Sequence, residues 1–515
     1  MRFLNRLFAP ASKREGTALQ ASYNEEGYYI HSAAPKKQYH VTVILPVFNA
    51  EKTLKKTIDS VINQTIGFEN IELIIIDDKS TDSSQSIILD YAKSHPNIVP
   101  VFYKKNNGSP AKPRNTGMDL AKGKYIMFLD SDDWLTLNGI EILYKLLEKT
   151  GDPYAIGRTM KTEDNKLTIT GEYNSCENRE SIDPCSIPHV FQHLGPTARM
   201  MRADFLKEHH FRFPNMRFAE DKQFFIDVLT NCPTISTTKE IIYYVNRNKE
   251  NKSLTSKTSI FEKTDTNLEV IKYVIQKNLP ERIERMVLNR LYEFDCITRL
   301  FNRQHFLKSR QKEKYFKKFA KVLETTKDLT YDFTENFFEP WHKVLVDLFK
   351  ERRFDDIVTL INWSLNESIK KTVVIDGLPY YKLPFEEEPY QLARINMLAV
   401  FHASEKKNDK LRLQVHIYGD PQHQIDSLVM RERNNHLVEV LFPIKQIDQT
   451  LYEASIPYDQ LEKLSSASYA IYIQYDQYRK MMIKMNSRNV ITQKQKKFDF
   501  YTTIGDNYGL IVKEN

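Results

Sequence analysis

Three carboxylates crowd the end of one short apolar run. In Gly123-Lys-Tyr-Ile-Met-Phe-Leu-Asp130-Ser131-Asp132-Asp133-Trp134 the apolar stretch Tyr125 to Leu129 stops against Asp130, Asp132 and Asp133. Asp130 and Asp132 stand two residues apart, a spacing that lets one carboxylate bond a ligand hydroxyl while the other binds a hard divalent cation such as Mn or Mg. The same acids would also serve the helix that follows, from Asn138 to about Leu147, as a cap and as charges at its positive end. A second apolar run, Ile71 to Ile76, ends in Asp77-Asp78, and a third acidic pair, Glu220-Asp221, precedes Phe224, Phe225, Val228 and Leu229 at helical spacing. Lys112 and Arg114 lie between the first two groups. Acids at two strand ends with cations between them would suit a nucleotide diphosphate, the carboxylates reading base and ribose and the cations or a metal neutralising phosphate.

Elements of a particular kind must hold these groups. His40 to Asn49 reads as a strand, Ala50 to about Gln64 as a helix, Ile71 to Ile76 as a buried strand, and Ser80 to Ser83 as cap residues for a helix through Tyr91. A third strand from Ile98 to Tyr103 leads into Asn106-Asn-Gly108-Ser-Pro110-Ala-Lys112-Pro113-Arg114-Asn115, which reads as a loop dense in turn formers. Strand and helix alternate, so the expected class is α/β with a mostly parallel sheet, and in such sheets ligands bind beyond the carboxyl ends of the strands.

Four ordered motifs carry a resemblance. Val43-Ile-Leu-Pro46-Val-Phe48-Asn-Ala50, Ile-Ile-Asp77-Asp78-Lys-Ser-Thr-Asp82, Gly108-Ser-Pro-Ala-Lys112-Pro-Arg114-Asn115 and Phe128-Leu-Asp130-Ser131-Asp132-Asp133 resemble the family 2 inverting glycosyltransferases of the A-type nucleotide-sugar fold. Gly195-Pro-Thr197 and Ala219-Glu220-Asp221-Lys-Gln-Phe224 are similar, more narrowly, to bacterial enzymes that glycosylate wall teichoic acid of the polyribitol-phosphate type. The resemblance covers about residues 40 to 258. It implies a UDP-sugar donor site with Pro46 and Phe48 near the uracil, Asp78 and Arg114 on the uridine, Asp130 on the ribose, and Lys112, Asn115, Ser131, Arg247 and Lys252 completing the donor contacts. It implies Asp132 as the ligand of Mn or Mg, Asp221 as the base that deprotonates the acceptor hydroxyl, with Glu220 beside it, and Thr197 on the acceptor side. A purely helix-stabilising role for Glu220 and Asp221 is the competing reading. Relatives often close the diphosphate site with a late segment bearing Arg and a His metal ligand; here Tyr243 to Ser253 offers Arg247, Asn251 and Lys252 but no histidine.

The rest of the chain bounds the reading. Its 515 residues exceed one core, and four domains are expected: an extension over 1–39, a nucleotide-sugar-binding glycosyltransferase domain over 40–258, a helical linker domain over 259–370 and a β-rich domain over 371–515 that binds polymer or joins subunits. A formal net charge of +7 suits a polyanionic, teichoic-acid-like acceptor or an anionic membrane surface, and no nucleic acid is expected. Phe3, Leu4, Leu7 and Phe8 beside Arg2 and Arg6 read as a short interfacial helix or as a frayed tail, not as a secretory signal. Cys176, Cys185, Cys232 and Cys296 show no metal-ligand spacing, which with the absence of a long apolar run suggests the cytoplasm, and an interfacial amino-terminal helix would place the chain peripherally on the inner face of the membrane.

Beyond residue 258, Val287, Leu291, Phe294, Ile297 and Phe301 form one buried helical stripe, and Phe354, Ile357, Ile361 and Leu365 another. The basic run Lys308 to Lys321 reads as one helix, either tracking a polyphosphate chain or simply solvated. From Lys371 on, Leu411, Leu413, Val415 and Ile417 alternate with polar residues, as in an antiparallel β-sandwich. A homo-oligomer is expected. The alternatives are an enzyme of capsule or other surface-glycan synthesis, a non-catalytic polymer-binding protein on a glycosyltransferase scaffold, and a nucleotidyltransferase.

Overall fold

Strand Tyr39–Val47 is apolar on both faces because helices cover both: Val41, Val43 and Leu45 enter one core and Ile44 the other. In the computed structural model, which describes residues 23–35, 37–248 and 258–514, it is the second of eleven strands in the amino-terminal sheet. In chain order β1 (Tyr28–Ile30), β2 (Tyr39–Val47), β3 (Ile71–Asp77), β4 (Ile98–Tyr103) and β5 (Gly123–Phe128) build one half, with helices α1 (Leu54–Ile62), α2 (Ser84–Ser94), α3 (Ala111–Leu120) and, after β5, α4 (Gly139–Thr150). Strands β4, β3, β2 and β5 lie side by side in that order and run parallel. The order reverses at β2, and a crevice opens beyond the carboxyl ends of parallel strands at such a reversal. Gly117 lets α3 press on β2, since a Cβ there would stand 2.4 Å from Ile44 Cγ2.

The second half is mixed. After β6 (Trp134–Leu135) come β7 (Tyr154–Glu163), β8 (Lys166–Thr170), β9 (Arg179–Ile182), β10 (Arg199–Arg202) and β11 (Ile235–Asn246), with α5 (Ala203–Glu208) and α6 (Glu220–Asn231) before β11. β10 enters antiparallel between β5 and β7, while β7 and β11 pair parallel.

Helices Ile260–Gln276, Glu281–Asn289, Lys312–Glu324, Trp341–Lys350 and Phe354–Asn366 share one continuous core with the sheet: Val270, Ile271, Leu291 and Ile357 belong to the cluster that holds Ile44, Phe128, Phe224 and Phe225. The stripe expected from Val287 to Phe301 is corrected at Phe294, which is 42% exposed while its four companions are buried. Residues Arg290–Thr298 form a π-helical stretch whose wider turn rotates Phe294 out of phase. The run Lys308 to Lys321 is also corrected, because one helix ends at Lys308 and the next begins at Lys312. Its charge is partly spent locally, with Lys317 on Glu313 at 2.6 Å and Lys318 on Asp265.

The carboxyl-terminal strands first make a small sheet, β12 (Thr372–Ile375), β13 (Leu378–Lys382) and β14 (Leu392–Arg394). Then β15 (Met397–Lys407), β16 (Lys410–Gly419), β17 (Ile425–Glu432), β18 (Glu439–Gln446), β19 (Leu451–Pro457), β20 (Ser468–Tyr475) and β21 (Arg479–Lys484) bond into a ring, because β17 pairs with both β18 and β20 and β15 pairs with β21. β22 (Asn489–Gln493), β23 (Lys496–Thr502) and β24 (Tyr508–Glu514) extend from β20. The alternation read at Leu411, Leu413, Val415 and Ile417 holds, all four being buried. Closure into a barrel-like ring, which that alternation does not encode, removes free strand edges.

The β-domain is seated on the sheet. Glu172 accepts from Arg431 Nη1 and Nη2 at 3.1 and 2.6 Å and from Lys480 Nζ at 2.9 Å, and Leu167 exchanges backbone bonds with Asn434 and His436. Among the described residues no helix is long and apolar enough to cross a membrane. The amino-terminal helix read from Phe3, Leu4, Leu7 and Phe8, and Lys252, lie outside the described residues.

Candidate functional site

At the carboxyl end of β5 the chain turns over Asp130, Ser131, Asp132 and Asp133, and α1 pins the turn: Thr53 and Thr57 donate to the Ser131 carbonyl at 2.8 and 3.1 Å, and Thr57 to that of Asp133 at 2.7 Å. Asp133 faces inward. It accepts from Tyr243 Oη at 2.9 Å and from the Asn246 N–H at 2.8 Å, and burial, with the charges of Asp132 and Asp130, holds its carboxyl well above the usual range. Tyr243 in turn accepts the Asp130 N–H at 3.0 Å. Asp130 and Asp132 are left half-buried at the crevice.

Arg114 is the centre of the arrangement. Its Nη2 lies 2.8 Å from Asp130 Oδ1 and its Nη1 3.1 Å from Glu220 Oε1, with the guanidinium packed on the Phe213 ring. Lys112, Pro113, Arg114 and Asn115 form the first turns of α3, not a loop. Pro113 is tolerated there because the first N–H groups of a helix have no intrahelical partner. Arg114 is thereby buried, 3% exposed, where the resemblance implied contact with the uridine. Asn115 braces the chain that carries Phe213, bonding its carbonyl at 2.8 Å and its N–H at 2.9 Å. Lys112 is half-buried and donates to the Glu26 carbonyl at 3.0 Å.

Asp78 lies at the end of β3 under the loop that follows β4. Its carboxylate accepts the Asn107 N–H at 3.0 Å, and Asn106 Nδ2 donates to its carbonyl at 2.9 Å. Burial raises the Asp78 pKa against the hydrogen bonds from Asn107. Beside it opens a pocket of about 480 Å³ lined by Lys105, Asn107, Lys112, Asn115, Phe213 and Asn215. Phe48, 48% exposed, projects where β2 ends, whereas Pro46 is buried within β2 opposite Ile76.

Glu220 and Asp221 open α6 after Ala219, whose φ of 70° sets the turn into the helix. Phe224, Phe225, Val228 and Leu229 are buried and fix its inner face. Asp221 Oδ1 accepts the Lys222 N–H at 2.8 Å. Burial raises both carboxyls of the pair; Asp221 adds to the rise at Glu220, Arg114 opposes it at both, and Lys222 also opposes it at Asp221. Neighbouring carboxylates of this kind titrate as a unit, with a proton retained above the usual carboxylate range.

Two expected members stand apart. Thr197 is buried, sharing its hydroxyl with Thr159 at 3.0 Å. Arg247, just past β11, is exposed, and its charge is felt at Asp133. Sequence reasoning missed Tyr243 and Asn107. Tyr243 lies in the apolar run Ile241-Ile-Tyr-Tyr-Val245, which reads as a buried strand and gives no sign of a hydroxyl reaching Asp133, and Asn107 looks like any turn residue.

Among the described residues no cluster of three or more His, Cys, Asp or Glu side chains is placed to hold a metal ion. Asp132 offers hard oxygen donors at the edge of the crevice, and that fits Mg or Mn, which take one or two carboxylates and fill the rest of their shell with water and phosphate oxygens.

The family model described as glycosyl transferase family 2 matches residues 42–210. An uncharacterized glycosyltransferase of Haemophilus influenzae is 34% identical over 194 residues, 37% of this chain and 71% of that protein. A poly(ribitol-phosphate) beta-glucosyltransferase of Bacillus spizizenii is 32% identical over 217 residues, 42% of this chain and 33% of that protein, so the chain spans about a third of that relative's length. Among solved structures, TarS of S. aureus superposes with a TM-score of 0.56 at 16% identity, covering 92% of this chain and 85% of that one. A structure of TarS residues 1–349 in complex with UDP-GlcNAc gives 0.56 at 18% identity, covering 68% and 98%. At these identities the likeness is one of fold.

Proposed function

This chain belongs to glycosyl transferase family 2, and from that membership we propose that it moves a sugar of the GlcNAc, GalNAc or glucose class from a UDP-sugar to a hydroxyl of a teichoic-acid-like cell-envelope polymer, inverting the anomeric carbon. The observation that carries the reading is the convergence of Asp130, Arg114 and the Glu220–Asp221 pair beyond the carboxyl end of β5.

Phe48 and Asp78 take the uracil end of the donor and Asp130 the ribose. Arg114 acts through Asp130 and Glu220, holding both in place, because its guanidinium is spent on them. Asp221 accepts the proton of the acceptor hydroxyl. The acceptor oxygen bonds to the anomeric carbon as the bond from that carbon to the UDP oxygen breaks, and the electron pair leaves with UDP. Glu220, tied to Arg114, orients the first turn of α6 that carries Asp221. Arg247, exposed just past β11, is a cation available to neutralise the diphosphate. A divalent cation held by Asp132 and the diphosphate oxygens would neutralise charge on the departing UDP.

The acceptor class follows from the relative named as acting on poly(ribitol-phosphate) and from the formal charge of +7, which favours a polyanion. The donor follows from TarS, seen with UDP-GlcNAc. A cytoplasmic site of action, contact with anionic lipid through the amino-terminal segment, and assembly into oligomers complete the proposal. The test is UDP release from a panel of UDP-sugars, with and without teichoic acids and with and without Mn or Mg. Polymer-stimulated release with one sugar is expected; no release with any donor would overturn the reading.

A further inference from the structure

Lys222 touches the candidate site with its backbone and the helical module with its side chain. Its N–H donates to Asp221 Oδ1 at 2.8 Å, while its Nζ lies 2.8 Å from Asp295 Oδ1 and 3.2 Å from Asn267 Oδ1. Asp295 is fully buried and also meets Arg299 Nη2 at 2.6 Å and Arg290 Nε at 3.1 Å. Arg290 and Asp295 are five positions apart and lie in the π-helical stretch Arg290–Thr298. Residues at that spacing face one another where the turn is widened to i→i+5 bonding, and not on a regular α-helix. Asn267 is fixed in turn, its Nδ2 donating to the Leu291 carbonyl at 3.1 Å. Phe218, two residues before Glu220, packs under Arg299 and Lys222.

One carboxylate facing three cations in the interior is a costly way to add stability, since desolvation consumes much of the attraction. Burial alone would raise the Asp295 carboxyl, yet Arg290, Lys222 and Arg299 outweigh it and hold it down at about 2. The cluster joins the helical module to the side chain of Lys222, which stands next to Asp221 in the first turn of α6.

We propose that Asp295 is a positioning residue for sugar transfer: through Lys222 it sets the first turn of α6, and with it the carboxylate of Asp221, from outside the nucleotide-binding sheet. The proposal rests on Asp221 being the base. The helical residues after 258 are then part of the catalytic machinery and not a spacer.

The test uses the full chain with Asp295→Asn, Lys222→Met and the double variant, each melted to show that it is folded at the assay temperature. Each single change is expected to lower kcat by about tenfold or more, as small misplacements near a reacting group do, with the KM for UDP-sugar and the Kd for UDP within about twofold. The double variant is expected to be no worse than Lys222→Met, since the two act in one chain. Asn267→Ser, which removes the amide's hydrogen bonds to Lys222, the Leu291 carbonyl and Cys296 but no charge, is expected to give a smaller loss in kcat at unchanged KM, and it decides the question should Asp295→Asn fail to fold. Wild-type kcat in a folded Asp295→Asn or, failing that variant, in Asn267→Ser, loss of UDP affinity in step with kcat, or losses that multiply in the double variant would overturn the inference. Failure of the underlying reading has a different signature: the unaltered chain releases no UDP, or Asp221→Asn retains full kcat.

Discussion

Arg114 Nη2 donates to Asp130 Oδ1 across 2.8 Å, so a cation that the resemblance implies beside the nucleotide is instead tied to Asp130, the acid proposed for the ribose. The same guanidinium reaches Glu220 and leaves neither acid unpaired. Arg114→Lys keeps the charge but loses the planar fork that serves both partners. We expect a lower melting temperature, from a loss of about 1–3 kcal/mol, together with weaker UDP binding by calorimetry. An unchanged melt and unchanged UDP affinity would show that the tie is dispensable.

Asp221→Asn removes the proposed base without touching the donor. Turnover is expected to fall by about a hundredfold to ten-thousandfold, while UDP affinity persists. Because burial raises the Asp221 pKa and activity needs the deprotonated form, wild-type kcat should fall on acidification at a pH above the ordinary aspartate range, near 4. That acidic limb should vanish from the residual activity of the variant, which a pH series of initial rates reads directly.

Asp132→Asn preserves size and removes the charge that would anchor a cation. Transfer should drop by a hundredfold or more, on the order of 3 kcal/mol of lost leaving-group stabilisation. Titrating Mn or Mg far above the wild-type requirement should not restore it; wild-type rates at any metal concentration would remove Asp132 from this role.

Glu172, clamped by Arg431 and Lys480 between the sheet and the β-domain, has its pKa held at about 2: burial would raise it, and the two cations outweigh burial. A carboxyl depressed in the folded state adds stability that is fully present above its unfolded pKa, near 4.5, and is lost as pH falls toward 2. The melting difference between wild type and Glu172→Gln should be largest above pH 4.5, on the order of 3 kcal/mol, and should shrink below it. A pH-independent difference would mean that the clamp carries no net charge effect.

A chain cut near Ile369 lacks Arg431 and Lys480 and keeps every donor-site acid. It should still bind UDP and hydrolyse UDP-sugar slowly, at reduced stability because the contacts of Glu172 with Arg431 and Lys480 are lost. Transfer to long acceptors should suffer more than transfer to a single repeat unit, by loss of local acceptor concentration. Equal efficiency of the folded truncation on long and short acceptors would exclude a polymer-holding role for the β-domain.

The sequence by itself determined the elements whose period or punctuation is local. Strand Ile98 to Tyr103 fell where its apolar run lies, the acids fell at strand ends because apolar runs stop there, and the alternation from Leu411 to Ile417 fixed a strand buried on one face. Tertiary structure decided whatever depends on partners far away in the chain. Arg114 and Glu220 are 106 positions apart, and no spacing rule foretells that one guanidinium will be consumed by Asp130 and Glu220 together. Phe294 left its stripe because the π-helical stretch Arg290–Thr298 shifts phase, and within that stretch Asp295 meets Arg290 and Arg299 inside the fold. The β-strands closed into a ring because β17 found β20 as well as β18, and strand pairing, unlike strand period, is settled by which edges remain free once the other strands have paired.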